Sequence, residues 1–518
     1  MGKDCLLYGA SVQGIQNFIF NTKELKDIAG ASELVEDICT RLFRFVLEQV
    51  ERDPDKENLR QILDKNTIVS AAGNIKYVFY DESKCREFVR IFPFFVSRYA
   101  PGITVSQAVV RVAPDDFTKA VDELENKLKI QRNRLQRNPN LGLMGIQRSR
   151  HTGLPVVAVV GNEHLDEASF KKRFVHGFDG CLCEDKAGRP IQRRATELCR
   201  KAFGRPDIKE SSVAMEIGRM VKSNDWIAVI HADGNGVGQV VRKVGRDPEK
   251  FKEFSKRLNV ATIAAAVDAF DKVKEMFADS DVIPIRPVVL GGDDITVICR
   301  ADLALPYTEA FLKSFEEQTS VQIGGLIDGV FTKGTYRDRL TACAGIAFVK
   351  SSYPFYYAYE LAEQLCSAAK ADAKDNENIR NGEELPQSCI QFHKVQSSFV
   401  SDYDEIVRRE LSPTSGMSLK YGPYYIHEKY GRWTLSKFHD VLGELSRKES
   451  SLTSSIRKWL TEIHDNPERA FQKRERAASF LNKEQRKLFD QIVPQKSEGK
   501  SPAYDLLSIY SVTNQETK

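Results

Sequence analysis

The sequence predicts an α+β fold: two ferredoxin-like palm domains in tandem, a connector between them, and a helical C-terminal domain. Two observations carry this. The order β-α-β-β-α-β is legible twice, over about residues 4–112 and again over about 225–350. From about residue 400 the strand patterns give way to charged, helix-forming sequence. The domain boundaries expected from these patterns are 1–138, 139–222, 223–400 and 401–518.

The first unit opens with "DCLLYGASVQGIQNFIF", a strand running through a turn into a helix. A helical stripe follows, with Leu34, Ile38, Leu42, Val46 and Val50 near one face. "NTIVSAAGNIKYVFYD" reads as a hairpin, "ESKCREFVRIFPFFVSRYA" as an apolar helix and "GITVSQAVVRV" as the last strand. A charged helix over 117–138 carries Val121, Leu124, Leu128 and Leu135 and ends in the basic run "KIQRNRLQRNPN", read as a solvated face. The second unit repeats the order: the strand "DWIAVIHADGNGVGQVV", helices to about residue 278, the hairpin "IRPVVLGGDDITVICR", a helix, the strand "LTACAGIAFVK" and an amphipathic helix, "YYAYELAEQLCSAAKADAKD". Near the end, "VPQKSEGKSPAYD" has the composition of a loose segment.

In such a unit the end of the first strand lies beside the tip of the central hairpin. That places Asp233 next to Asp293 and Asp294. Three carboxylates together repel and raise one another's pKa unless cations neutralise them. Mg²⁺, or Mn²⁺, is the natural partner: a hard ion that takes oxygen ligands and keeps positions for water and phosphate. Two such ions about 4 Å apart suit nucleotidyl transfer. Gly234, Asn235, Gly236 and Gly238 after the first strand, and Gly291 and Gly292 before the aspartates, allow backbone amides to approach phosphate oxygens. Lys370 and Lys374 are four apart on one helix face and are candidates to hold a triphosphate.

Taken together, "HADGNGVG", "LGGDD" and "CAGIAFVK…AAKADAK" resemble the palm of GGDEF-type cyclases. The chain is more closely similar to the large polymerase-cyclase subunit of type III CRISPR effector complexes, whose first palm carries a stretch like "GASVQGIQNFIF…KELKDIAGASELVEDI". "TGLPVV" before the connector fits as well. The resemblance spans about residues 5–400. It implies an enzyme, a nucleotidyltransferase that turns ATP into cyclic oligoadenylate for antiviral defence, with Asp233, Asp293 and Asp294 on Mg²⁺. It implies a first palm that has lost its acids and seats a second ATP, through Ser11, Gln13, Gly73 and Asn74. Guide or target RNA and other effector subunits are the implied partners. Zinc between the palms is a further implication, here from His176, Cys181, Cys183 and Cys199, a tetrahedral donor set. A stand-alone cyclic dinucleotide synthase using ATP or GTP, and a non-catalytic scaffold, are the alternatives. The intact acidic triad speaks against the scaffold.

No counterpart of the family's HD nuclease is expected. His439-Asp440 and His464-Asp465 lie in helical context without further ligands, so a reduced relative is expected. The aromatic-basic segment "LKYGPYYIHEKYGRW" is read as packing in preference to stacking on RNA. With 76 Lys+Arg against 72 Asp+Glu the net charge is +4, so nucleic-acid contact would come from local patches. No stretch approaches the roughly 18 apolar residues of a membrane span, and ten scattered cysteines point to a reducing cytoplasm.

Overall fold

The computed structural model describes residues 5–71, 73–112, 117–133, 145–221, 225–244, 247–396, 402–414, 416–447, 450–495 and 499–513. Four strands form the first sheet: β1 (Cys5–Gln13), β2 (Thr67–Ala71), β3 (Asn74–Phe79) and β4 (Thr104–Val112). Their order is β2-β3-β1-β4, all antiparallel, as the ferredoxin-like arrangement requires. Helices α1 (Ile15–Phe20), α2 (Leu25–Asp37), α3 (Glu82–Tyr99) and α4 (Phe117–Arg132) pack around it. Leu135, expected on α4, lies outside the described residues.

The stripe Leu34, Ile38, Leu42, Val46 and Val50 is fully buried, yet it does not lie on one regular helix. A π-helical turn spans Ile38–Leu42. Residues four apart drift about 40° per step around a 3.6-residue helix. A single wider turn corrects the drift and keeps the stripe on the core.

The second sheet contains β5 (Trp226–Asn235), β6 (Ile285–Gly291), β7 (Asp294–Arg300) and β8 (Thr341–Lys350), in the same 2-3-1-4 order. Its helices are α5 (Pro248–Val273), α6 (Ala301–Ile327) and α7 (Phe355–Ala373). Asp247 caps α5 through the Glu249 and Lys250 amides, and Pro248 takes the first helical position. The sheet goes two strands further than the sequence pattern suggests. After α7, β9 (Cys389–Lys394) pairs parallel to β8, and β10 (Tyr424–Tyr425) closes that edge. β10 comes from the aromatic-basic segment, and Tyr424 and Tyr425 are buried in it, so neither presents a ring to RNA.

Helix α7 lies against β8 with its backbone almost touching the sheet. A Cβ at Gly345 would stand 2.0 Å from the Ala362 carbonyl oxygen and 2.4 Å from the Cys366 nitrogen. Only glycine permits this approach, and the helix it admits carries Lys370.

The C-terminal region is helical, as expected, with Trp459 buried among its helices. The segment read as loose is not so beyond residue 498. Gly499–Lys500 pairs with Met417–Ser418, and Ser501, Ala503 and Tyr504 are buried at the start of the last helix. Its polar composition concealed the seat for the apolar run "AYDLLSIY". One continuous buried core runs through both palm units and this region. Among the described residues, no helix is long and apolar enough to cross a membrane.

Gly345→Ala should cost about 3 kcal/mol or more, read as a lower urea midpoint, because backbone would have to move. Gly443→Ala, on a helix with nothing within 4 Å of the added Cβ, should instead be neutral or stabilise by up to about 1 kcal/mol.

Candidate active site at the acidic hairpin

The register of three strands assembles the acids. Asp233 pairs with Asp294 across β5 and β7, and Gly291 pairs with Asp294 across β6 and β7. The turn between β6 and β7 is Gly292–Asp293, with Gly292 in the left-handed region at φ 63°. Two groups fix it. The Gly234 amide donates to the Asp293 carbonyl at 3.0 Å, and the Thr262 hydroxyl of α5 donates to the Gly292 carbonyl at 2.5 Å. A Cβ on Gly234 would stand 2.7 Å from the Asp293 Cβ, so close approach of the two segments requires glycine there.

The three carboxylates have different surroundings. Asp233 is 39% exposed and receives the Lys370 ammonium on Oδ2 at 2.5 Å. Lys370 Nζ also donates to the Gly234 carbonyl at 3.0 Å. Burial works against the charge on Lys370, but Asp233 outweighs it and holds the ammonium above the usual lysine range. Burial, then Asp233 and Asp294, push the Asp293 carboxyl up to about 7. Burial and Asp233 push Asp294 up to about 8. His231 Nδ1 lies 3.3 Å from Asp294 Oδ1 but is hydrogen-bonded with the Thr296 hydroxyl at 3.2 Å. Asp294 Oδ1 therefore has no hydrogen bond, although it is shielded from solvent. Burial lowers the pKa of His231, which keeps the imidazole neutral.

A cavity of about 130 Å³ adjoins Asp294 between the two units. Gln16, Phe20 and Gly73 line it from the first unit, and Leu290 and Tyr359 from the second. Phe20 stacks on Tyr359 at 4.3 Å between ring centroids, and Gln16 Nε2 donates to the Tyr359 hydroxyl at 2.9 Å. Ser32 of α2 donates to the Val288 carbonyl, closing the edge of the second sheet. Gln16 and Tyr359 were not singled out from the sequence. "GIQ" pointed to the turn, but the partner of Gln16 lies 343 positions away.

The other sequence-derived residues divide. Gly73 reaches the cavity, with φ 76° at the first hairpin. Ser11 is buried within β1 opposite Asn74 and Ser106, and Gln13 donates back to the Ser11 carbonyl at 3.2 Å. Asn235 turns into the sheet, donating to Thr341 Oγ1 at 3.2 Å and Cys343 Sγ at 3.4 Å. Gly236 faces Leu385 and Phe331, whereas Gly238 opens on free space. Lys374 stands exposed beyond the end of α7 and does not share the position of Lys370.

The four residues named for zinc are not brought together among the described residues. Cys199 is fully buried on the inner face of the helix Glu197–Phe203, where burial raises its thiol pKa. His176 is occupied by the Phe174 carbonyl at 2.9 Å, and Cys181 is exposed on a loop. Among the described residues, no group of three or more His, Cys, Asp or Glu side chains converges on a metal-binding arrangement. At the acidic hairpin Asp233 is paired with Lys370. A Mg²⁺ site commonly takes only one or two carboxylates and completes its shell with water and phosphate. The paired Asp233 and Asp294, and the orphaned Asp294 Oδ1, fit such an ion.

Residues 226–378 match the family model described as Cas10/Cmr2, second palm domain. Solved structures resemble the whole chain. A chain of the Csm1–Csm4 cassette in complex with pppApApA is 13% identical with a TM-score of 0.55, covering 99% of this chain and 69% of that one. The cassette in complex with cA4 is 14% identical with a TM-score of 0.51, covering 98% and 69%. The Csm1–Csm4 subcomplex of the type III-A CRISPR-Csm interference complex is 13% identical with a TM-score of 0.50, again covering 98% and 69%. No curated protein matches the sequence. The second unit thus matches the Cas10/Cmr2 second-palm family, and the resemblance of the chain to the large subunit of type III CRISPR complexes holds at the level of fold.

The acids also make a stability prediction. The folded Asp294 carboxyl keeps its proton to about pH 8, whereas an unfolded one releases it near pH 4. Folded stability therefore falls as pH rises across that window. In metal-free buffer Asp294→Asn should melt at a higher temperature than the parent at pH 8, with the gap narrowing toward pH 5.

Proposed function

We propose that this protein is a Mg²⁺-dependent nucleotidyltransferase that condenses ATP into cyclic oligoadenylate within a type III CRISPR-like defence system. The observation that carries the proposal is the in-register placement of Asp233 and Asp294, with Asp293 at the turn, beside a cavity shared by two palms. The structural neighbours support the ligand class, since Csm1–Csm4 cassettes have been solved with cA4, with pppApApA and with one ATP.

In this reading Asp233 and Asp294 hold the divalent cation, with Asp293 beside them. The ion supplies charge neutralisation for the reacting phosphate and acidifies the attacking ribose hydroxyl. The protein's own groups do the positioning. Gly234 and Thr262 hold the hairpin tip so that the carboxylates stand where phosphate arrives. Lys370 supplies a cation for the triphosphate. Gly238 leaves room for phosphate at the start of the helix after β5. Phe20 and Tyr359 present apolar walls against which water is excluded from the acids.

The cavity, at about 130 Å³, is smaller than the roughly 300–1,000 Å³ of ordinary small-molecule sites. A whole ATP would therefore extend beyond this cavity toward the more open side at Asp233. The proposed partners are effector-complex subunits together with guide or target RNA.

Purified protein incubated with ATP and Mg²⁺ should give oligoadenylate by mass spectrometry, alone or with partner subunits and RNA. The Asp293→Ala/Asp294→Ala variant should lose product by a factor on the order of 10² or more. Absence of product from ATP under all these conditions would overturn the cyclase reading.

A further inference from the structure

The ammonium of Lys370 occupies the place where a cation is wanted. It lies 2.5 Å from Asp233 Oδ2 and 3.0 Å from the Gly234 carbonyl, two oxygen acceptors at the end of β5. Both are oxygens of the type a hard divalent ion takes. An ammonium has three donors, so one remains for a further acceptor. Lys370 is delivered by α7, which the absent side chain of Gly345 locks against the sheet. Its stem is largely enclosed, with 20% of the side chain exposed. The pair is thus not a loose surface contact.

The charges around it set up a competition. Lys370 faces Asp233 directly, with Asp294 opposite Asp233 in the strand register and Asp293 at the adjoining turn. A divalent ion approaching Asp233 must displace an ammonium already hydrogen-bonded there. A nucleotide triphosphate changes the balance, because its oxygens offer Lys370 a more highly charged partner within reach of the same side chain.

The geometry points to Lys370 as a built-in placeholder that competes with the divalent cation for Asp233 until a nucleotide triphosphate draws it away, so that metal and nucleotide bind cooperatively. This rests on the reading of the acidic hairpin as a metal-dependent nucleotidyl-transfer site, and adds how that site is loaded. By linkage the coupling is reciprocal: whatever factor the nucleotide adds to metal affinity, the metal adds to nucleotide affinity.

The test is a Mn²⁺ titration of the full-length protein, followed by the loss of free-ion signal in electron paramagnetic resonance, with and without a non-hydrolysable ATP analogue. The parent should bind Mn²⁺ weakly alone and more tightly with the analogue. Lys370→Met should bind Mn²⁺ about tenfold more tightly than the parent without nucleotide, a gain of about 1.4 kcal/mol, and should lose most of the stimulation by the analogue. Lys370→Arg, which keeps the charge, should stay close to the parent, and thermal melts establish that both variants fold. Equal or weaker Mn²⁺ binding by folded Lys370→Met would overturn the placeholder role. Oligoadenylate synthesis by the parent, measured in parallel, separates the two ideas. Product with unchanged Mn²⁺ affinity in the variant sinks only the placeholder. No product and no Mn²⁺ bound, even with the analogue, sinks the site itself.

Discussion

Like charges set directly opposite each other in a sheet repel. The register of β5 on β7 sets Asp233 opposite Asp294 regardless, and adds Asp293 at the adjoining turn. Much of the second unit can be understood as what makes this tolerable. Gly234 lets the turn come close, Thr262 reaches over from α5 to hold it, and α7 brings a lysine to Asp233. The remaining strain is visible as carboxyls held well above their ordinary range. Relieving this repulsion by substitution is expected to stabilise the fold.

The repeated strand and helix order was legible because each element buries one face with its own period. β5 and β8 read as apolar strands and proved buried almost throughout. The three aspartates were legible because a ferredoxin-like topology brings the end of its first strand to the tip of its hairpin. What could not be read depended on tertiary placement. Gln16 and Tyr359 meet across 343 residues, and neither carries a local signal. Spacing grouped Cys199 with Cys181 and Cys183, but helix packing turned it into the core. Asn235 shares its motif with Asp233, yet it stands opposite Thr341 in the register of β5 on β8 and donates to its hydroxyl. The two strands beyond α7 were missed because β9 is short and β10 spans two residues inside an irregular segment.

The contact between the two palms is asymmetric. At the cavity the first unit brings α1 and α2, and the second brings a sheet edge, α7 and the acids. Ser32 on α2 caps the Val288 carbonyl on edge strand β6, and Phe20 from α1 covers Tyr359 on α7. The unit without acids thereby shields the unit that has them.

The continuous core has a consequence for how the molecule can be divided. Phe203, from the segment joining the palms, stacks on Phe270 of α5 at 4.2 Å, and Ala503–Thr513 at the far end of the chain is buried against the body. A cut between the palms, or removal of the last helix, would leave apolar surface that its former neighbour had covered. Evolution therefore cannot readily shuffle these units as interchangeable modules. A second palm transplanted alone would have to acquire a new polar coat at the same time.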